Sequence, residues 1–315
     1  LSELNIDIEQ VTNRLQVDGV DAFIEAFETL IGQVEAKLTV LKSGVMDRQR
    51  MALGIYADQV NQAIKRVDRE FVNGRIWSKD GSLWTEYNPD RIRIEKRLGW
   101  LDVPDIIDLD RLKSLQENTK NSDVKHLVLM GMGGSSLAAE VLFRVFGKQE
   151  NFPALIVLDS TDPVRIKQVE AEIDLAKTVF IVASKSGITL ETLAFYHYFW
   201  QLSGQNGEQF IAITNPETPL AEMAKENNFR ETFLNPPTIG GRYSALTYFG
   251  MVAASLLGLD LDKLWDSTRH MMAASHENIP GQYHPGISLG VIIGMLALEG
   301  RNKVTIYTTE TFNAF

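Results

Sequence analysis

TVFIVASKSGITLETL, residues 178–193, decides how this chain is read. Val179, Phe180, Ile181 and Val182 form an apolar, β-favouring run, as in a strand buried within a sheet. Residues 184–189, Ser-Lys-Ser-Gly-Ile-Thr, interrupt it, and a helical pattern resumes at Leu190. A short loop between a parallel strand and a helix start presents unpaired backbone N–H groups and the positive end of the helix dipole, both of which suit an anion. The hydroxyls of Ser184, Ser186 and Thr189 and the ammonium of Lys185 add donors. Gly187 permits a tight turn or a close ligand approach. Such a donor set suits a phosphate monoester. The plainer reading is an ordinary strand-to-helix turn with Thr189 as the helix N-cap.

The same texture extends on both sides. Strands are expected at residues 126–132, 154–159, 178–183 and 210–214, alternating with helices at 137–146, 164–173, 189–202 and 220–227. That alternation is the signature of an α/β fold, a doubly wound parallel sheet with helices on both faces. Ligands on such sheets sit beyond the C-terminal ends of the strands. Two further loops belong to that end. Gly131-Met132-Gly133-Gly134-Ser135-Ser136 follows the first strand, where glycine lets a ligand approach the backbone and Ser135 can donate to an oxygen. Ser136 breaks the G-x-G-x-x-G spacing of a dinucleotide loop. Ile239-Gly240-Gly241-Arg242-Tyr243-Ser244 presents an arginine between glycines and an apolar helix expected at 243–257. Arginine is always charged and forms planar, multidentate hydrogen bonds. A structural arginine paired with a carboxylate is the alternative for Arg242, as a merely tight turn is for residues 131–136.

Ser184-x-Ser186-Gly187-x-Thr189-x-Glu191 resembles the phosphate loop of sugar isomerase (SIS) domains, which bind phosphosugars on a flavodoxin-like sheet. The three loops together, in this order, resemble the phosphoglucose isomerase family from about residue 45 onward. The segment HPGISLGVIIGMLALEGRNKVTIY resembles that family's entry into a second SIS domain. The resemblance implies an isomerase interconverting glucose 6-phosphate and fructose 6-phosphate through an enediolate, without a cofactor and as a homodimer when intact. It also implies roles for particular residues. Ser184, Lys185, Ser186 and Thr189 would bind phosphate, and Gly134, Ser135 and Gly241 would line the sugar. Arg242 would be catalytic, stabilising negative charge on the substrate oxygen. Ser136, Ala138, Ala139 and Gly187 depart from the family pattern toward the generic SIS one. A phosphosugar-sensing SIS module without catalysis, or an isomerase of another phosphosugar, are the alternatives. The family's general-base glutamate, ring-opening histidine and catalytic lysine lie in segments C-terminal to one like residues 308–315. Glu310 does not match the base, and none of the five histidines shows catalytic spacing.

The chain has 315 residues, no cysteine and a net charge of −10. Its acidity argues against nucleic acid or an anionic membrane as main partner. The absence of cysteine excludes disulfides and thiolate metal sites and fits a cytoplasmic protein. The longest apolar run, residues 286–298, is short of the roughly 20 residues a membrane span needs and reads as a buried helix. Residues 1–40 carry two apolar stripes separated by Asp18-Gly19, a helical hairpin. They resemble the C-terminal helices of transaldolases, so a transaldolase–isomerase fusion is expected. The expected divisions are 1–43 transaldolase-like helices, 44–120 a helical region, 121–275 the first SIS domain and 276–315 the start of a second. A long helix is expected from 46 to 71, stopped by Asn73-Gly74, and a strand at 304–308. Leu1 in place of Met and the expected uncovered last strand suggest a fragment that does not isomerise by itself.

Overall fold

The computed structural model describes residues 8–43 and 49–313. The chain divides into two compact units, Leu1–Leu83 with Ser267–Val304, and Trp84–Asp266 with Thr305–Phe315.

The second unit is built on a five-stranded sheet: β1 (His126–Gly131), β2 (Ala154–Leu158), β3 (Thr178–Ala183), β4 (Phe210–Thr214) and β5 (Glu231–Leu234). The order is β2-β1-β3-β4-β5 and every pairing is parallel. All six residues of β3 are buried, which explains its unbroken apolar run. The strand period of two sends alternate side chains to opposite faces. Leu127, Leu129, Val179, Ile181, Ile211 and Phe233 share one core with helices Leu109–Lys120, Leu137–Phe146 and Tyr248–Leu256. Val128, Met130, Phe180, Val182 and Phe210 share the other with helices Pro163–Glu172, Leu190–Leu202 and Pro219–Glu226. The second core is aromatic: the Phe180 ring stacks on Phe199 at 4.9 Å and on Phe210 at 5.1 Å. This is the doubly wound, flavodoxin-like order.

One strand was not expected. β5 has the sequence ETFL, in which only Phe233 is buried. An edge strand of four residues carries too little pattern to stand out. Its exposed side is held by Arg111, whose guanidinium lies 4.2 Å over the Phe233 ring and 2.5 Å from the Glu231 carboxylate.

Several expectations require correction. The helix expected at 243–257 starts later, at Tyr248, because the Thr247 hydroxyl accepts from the Phe249 N–H at 3.3 Å and caps it there. Residues 304–308 form no strand; Val304, Ile306 and Tyr307 are exposed, and no strand among the described residues supplies the ladder they would need.

In the first unit, Ile8–Ser43 is one continuous helix rather than a hairpin. A single glycine costs about 1 kcal/mol in a helix, too little to break one of 36 residues. Within the expected helix at 46–71, residues 46–48 lie outside the described residues. The remainder forms a turn at Gly54–Tyr56 and a helix Ala57–Arg69, with Val60 and Ile64 buried. The helix is stopped by Phe71 in the left-handed region at φ 51°, not by Asn73-Gly74. Gly74 sits inside the next helix, Val72–Trp77, because a Cβ there would meet the Phe71 ring at 2.0 Å. Trp77 Nε1 and Asn73 Nδ2 donate to the carbonyls of Ser275 and His276, each at 2.7 Å. The apolar helix Pro285–Leu298 is present, but it is not buried as expected: only Pro285 and Ser288 are, while Leu298 is 82% exposed. No helix among the described residues is long and apolar enough to cross a membrane.

Candidate phosphosugar site

In the order β2-β1-β3, the chain leaves β1 toward one side and β3 toward the other, so a crevice opens between the loops that follow them. Those two loops are residues 132–136 and 184–189. A cavity of about 410 Å³ lies there. Met132, Gly134 and Ser135 line it from the first loop and Lys185, Ser186 and Thr189 from the second. Asn215, just after β4, and Gly241 complete it. All eight belong to the second unit.

The loop after β3 is built from within. Ser184 is buried, and its Oγ accepts from the Gly187 N–H at 3.1 Å while bonding Thr189 Oγ1 at 2.9 Å. The expected donor Ser184 therefore sits beneath the loop rather than on the cavity wall. Gly187 has φ +70°, and a Cβ there would lie 2.6 Å from Thr218 Cβ. Thr189 occupies the N-cap position of helix Leu190–Leu202, yet its hydroxyl makes no capping bond and is turned to Ser184. The Leu193 N–H reaches the Thr189 carbonyl at 3.0 Å, so the amides before it precede the first helical bond. Ser186 is exposed, with its Oγ 3.4 Å from the Ile188 N–H. Lys185 Nζ donates to the Ile239 carbonyl at 2.5 Å, which ties this loop to the Ile-Gly-Gly-Arg segment. Burial pushes its ammonium below the usual lysine value, and Arg97 adds to the effect.

The other two loops touch backbone to backbone. A Cβ on Gly134 would lie 2.1 Å from the Gly241 carbonyl oxygen, so no other residue fits that approach. Ser244 Oγ lies 2.7 Å from the Gly241 carbonyl and 3.0 Å from that of Gly134, which places one hydroxyl between the two loops. The segment before Gly240 is held from outside: Leu98 bridges Ile239, and Gly99 N–H donates to the Thr238 carbonyl at 3.0 Å. Arg242 lies on the turn Gly241–Tyr243, exposed, beside the cavity rather than on its lining. Among the described residues it has no ion-pair partner. Its neighbour Tyr243 stacks on Trp100 at 5.8 Å.

Of the expected site residues, Gly134, Ser135, Lys185, Ser186, Thr189 and Gly241 are thus brought to one cavity. Ser184 supports it from below and Arg242 stands at its edge. Asn215, Ser244 and Arg97 were not singled out by the sequence. Asn215 sits in a Thr-Asn-Pro run that reads as a turn, and Ser244 is one serine at the end of a motif read for its arginine. Chemically, the wall offers hydroxyl, ammonium and amide donors and contains no carboxylate or imidazole. Such a donor set suits an anion.

Known proteins resemble this chain over the unit that holds the cavity. A family model described as phosphoglucose isomerase matches residues 109–283. A glucose-6-phosphate isomerase of Thermus thermophilus is 32% identical over 234 residues, covering 68% of this chain and 55% of its own length. A probable glucose-6-phosphate isomerase of Methanococcus maripaludis is 32% identical over 178 residues, covering 54% of this chain and 40% of that protein. The chain therefore spans about half the length of these curated relatives. Among solved structures, a hypothetical protein from Thermus thermophilus superposes with TM-score 0.64 at 25% identity, over 76% of this chain and 56% of that one. A glucose-6-phosphate isomerase from Chlamydia trachomatis shares the fold, with TM-score 0.53 at 22% identity, over 72% of this chain and 42% of that one.

Proposed function

The chain belongs to the phosphoglucose isomerase family, and we propose that it carries the phosphate- and sugar-binding side of a site that interconverts glucose 6-phosphate and fructose 6-phosphate. The observation behind this is the convergence of three separate loops on one donor-lined cavity at the sheet's switch point. In the proposal, Ser186, Thr189, Lys185 and the first amides of helix Leu190–Leu202 hold the phosphate, with Ser184 keeping the loop in shape. Gly134, Ser135 and Gly241 bound the sugar.

Aldose–ketose isomerisation removes a proton from the carbon beside a carbonyl, and negative charge grows on the oxygen. A preplaced cation stabilises that charge more than it stabilises the ground state. Arg242, without an ion-pair partner among the described residues, is assigned this role. The base that takes the proton must come within about 2.6–3.2 Å of it. The cavity wall supplies no carboxylate or imidazole for that work. Binding and charge stabilisation are therefore assigned to these residues and proton abstraction is not, so the 315-residue chain alone is expected to bind substrate without turning it over. A homodimer, as the resemblance implies, and a cytoplasmic setting, as the lack of cysteine suggests, are part of the same proposal.

The test is a coupled assay of fructose 6-phosphate conversion, run on this chain and on any longer reading frame that contains it. Turnover is expected only from the latter, and Arg242→Ala should lower kcat more than it raises KM. Turnover by both at similar rates would show that the base lies among the residues described above. An Arg242→Ala enzyme changed in KM alone would make Arg242 a uniform binder.

A further inference from the structure

The ammonium of Lys185 donates to the Ile239 carbonyl at 2.5 Å, joining the loop after β3 to a segment 54 residues further on. The backbone of the same residue is fixed from another direction, because the Asn215 N–H donates to the Lys185 carbonyl at 3.2 Å. Burial opposes the charge on this side chain. A cation is kept in such a place when its hydrogen bond has a use.

What the bond holds is a short turn. Ile239 is fully buried. The Tyr243 N–H donates to the Gly240 carbonyl at 2.9 Å, which closes the turn that carries Arg242. Glycine at 240 and 241 gives the turn no side chain of its own to anchor it, so its place depends on bonds to its carbonyls. Ser244 holds the carbonyl of Gly241 and Lys185 that of Ile239. Arg242 is exposed, and its guanidinium takes its position from that turn. A charge that stabilises a developing oxyanion acts well only when it is placed beforehand.

We propose that Lys185 is a positioning residue for Arg242: by holding the Ile239 carbonyl it fixes the Gly-Gly-Arg turn against the phosphate loop. The span from the bound phosphate to the Arg242 charge is thereby set. This rests on the phosphosugar reading of the cavity. It is a role beyond phosphate contact, since an ammonium has three donors and Ile239 uses one.

The experiment titrates two ligands into the full chain. One is 6-phosphogluconate, which has a carboxylate at the end far from its phosphate. The other is glucitol 6-phosphate, which has an alcohol there. They share the phosphate and the intervening hydroxyls, so the ratio of their affinities reports the Arg242 charge. The unaltered chain should prefer 6-phosphogluconate about tenfold or more, and Arg242→Ala should abolish the preference. Lys185→Met, which keeps the aliphatic stem, and Lys185→Gln should each cut it to about threefold or less with Arg242 still present. Adding Lys185→Met to Arg242→Ala should leave the ratio where Arg242→Ala alone put it. A lysine that only touched the phosphate or held the loop together would weaken both ligands alike. An unchanged ratio in the Lys185 variants would therefore overturn the proposal. A further change of the ratio in the Arg242→Ala background would overturn it too, because the ammonium would then act on the carboxylate directly. So would equal binding of both ligands by the unaltered chain, which would leave no placed charge to position. If the unaltered chain bound neither ligand, the phosphosugar reading itself would fail, and the inference with it.

Discussion

Gly187 meets two demands at once, a φ of +70° and a Cβ position 2.6 Å from Thr218. Backbone in the left-handed region costs an ordinary residue about 1–2 kcal/mol, before any clash. Gly187→Ala should therefore lower stability by about 1–3 kcal/mol in urea denaturation, and should weaken phosphosugar binding because Ser184 and Thr189 would lose their registration. Unchanged stability and affinity would mean that the loop is not built as described. At this scale the sequence was informative where chemistry and position coincide. Ser186, Lys185 and Thr189 lie between an apolar strand and a helix, where small donors have few other uses. Ser184 was equally visible, but its hydroxyl is turned inward onto the Gly187 N–H and Thr189 Oγ1, and which of several loop hydroxyls faces a ligand depends on φ and ψ that composition does not encode. Asn215 and Ser244 gain their meaning from partners about 30 or more positions away, which a local reading cannot supply.

At the scale of elements, the central strands were legible to within one residue because strands buried on both faces are continuous apolar runs. β5 escaped because an edge strand is half solvated and short. Helix starts were harder to place, since a cap depends on one side chain's geometry. His284 shows this for helix Pro285–Leu298. Its Nδ1 accepts from the Ile287 N–H at 3.1 Å, and its Nε2 faces the Ser275 carbonyl at 3.0 Å. That geometry fits the neutral ring protonated at Nε2. Burial holds its pKa below the ordinary 6.5, with the bond to the Ser275 carbonyl opposing the shift. The unfolded chain therefore binds the proton more readily than the folded one. The stabilisation is complete above pH 6.5 and falls as the pH drops from there toward the lowered folded value. Protonation of Nδ1 would also remove the cap. His284→Asn keeps a capping oxygen and loses the titration, so its denaturation midpoint should decline less than that of the unaltered chain between about pH 6.5 and 5. Parallel pH profiles for the two proteins would show that His284 does not couple folding to pH.

For the whole molecule, the exposed apolar side chains limit what the sequence could convey. Phe23 and Phe27 on helix Ile8–Ser43 are 73% and 55% exposed, and Leu298 is 82% exposed. Their periodicity predicted helices, and helices are present, but amphipathic patterning does not say what covers the apolar side. The parallel sheet and its loop cluster are more self-contained, because both faces of the sheet are covered within one unit. The proposed function rests on that unit: the cavity after β1 and β3 binds a sugar through its phosphate. Calorimetric titration of the chain with fructose 6-phosphate and with fructose, alongside the Ser186→Ala, Thr189→Val double variant, puts this to the test. Hydrogen bonds to a charged group contribute about 1.5–3 kcal/mol each. Fructose 6-phosphate should bind and fructose should not, and the double variant's affinity should be at least about a hundredfold weaker. Equal affinity of the double variant and the unaltered chain, or equal binding of fructose and its phosphate, would contradict a phosphate-anchored site.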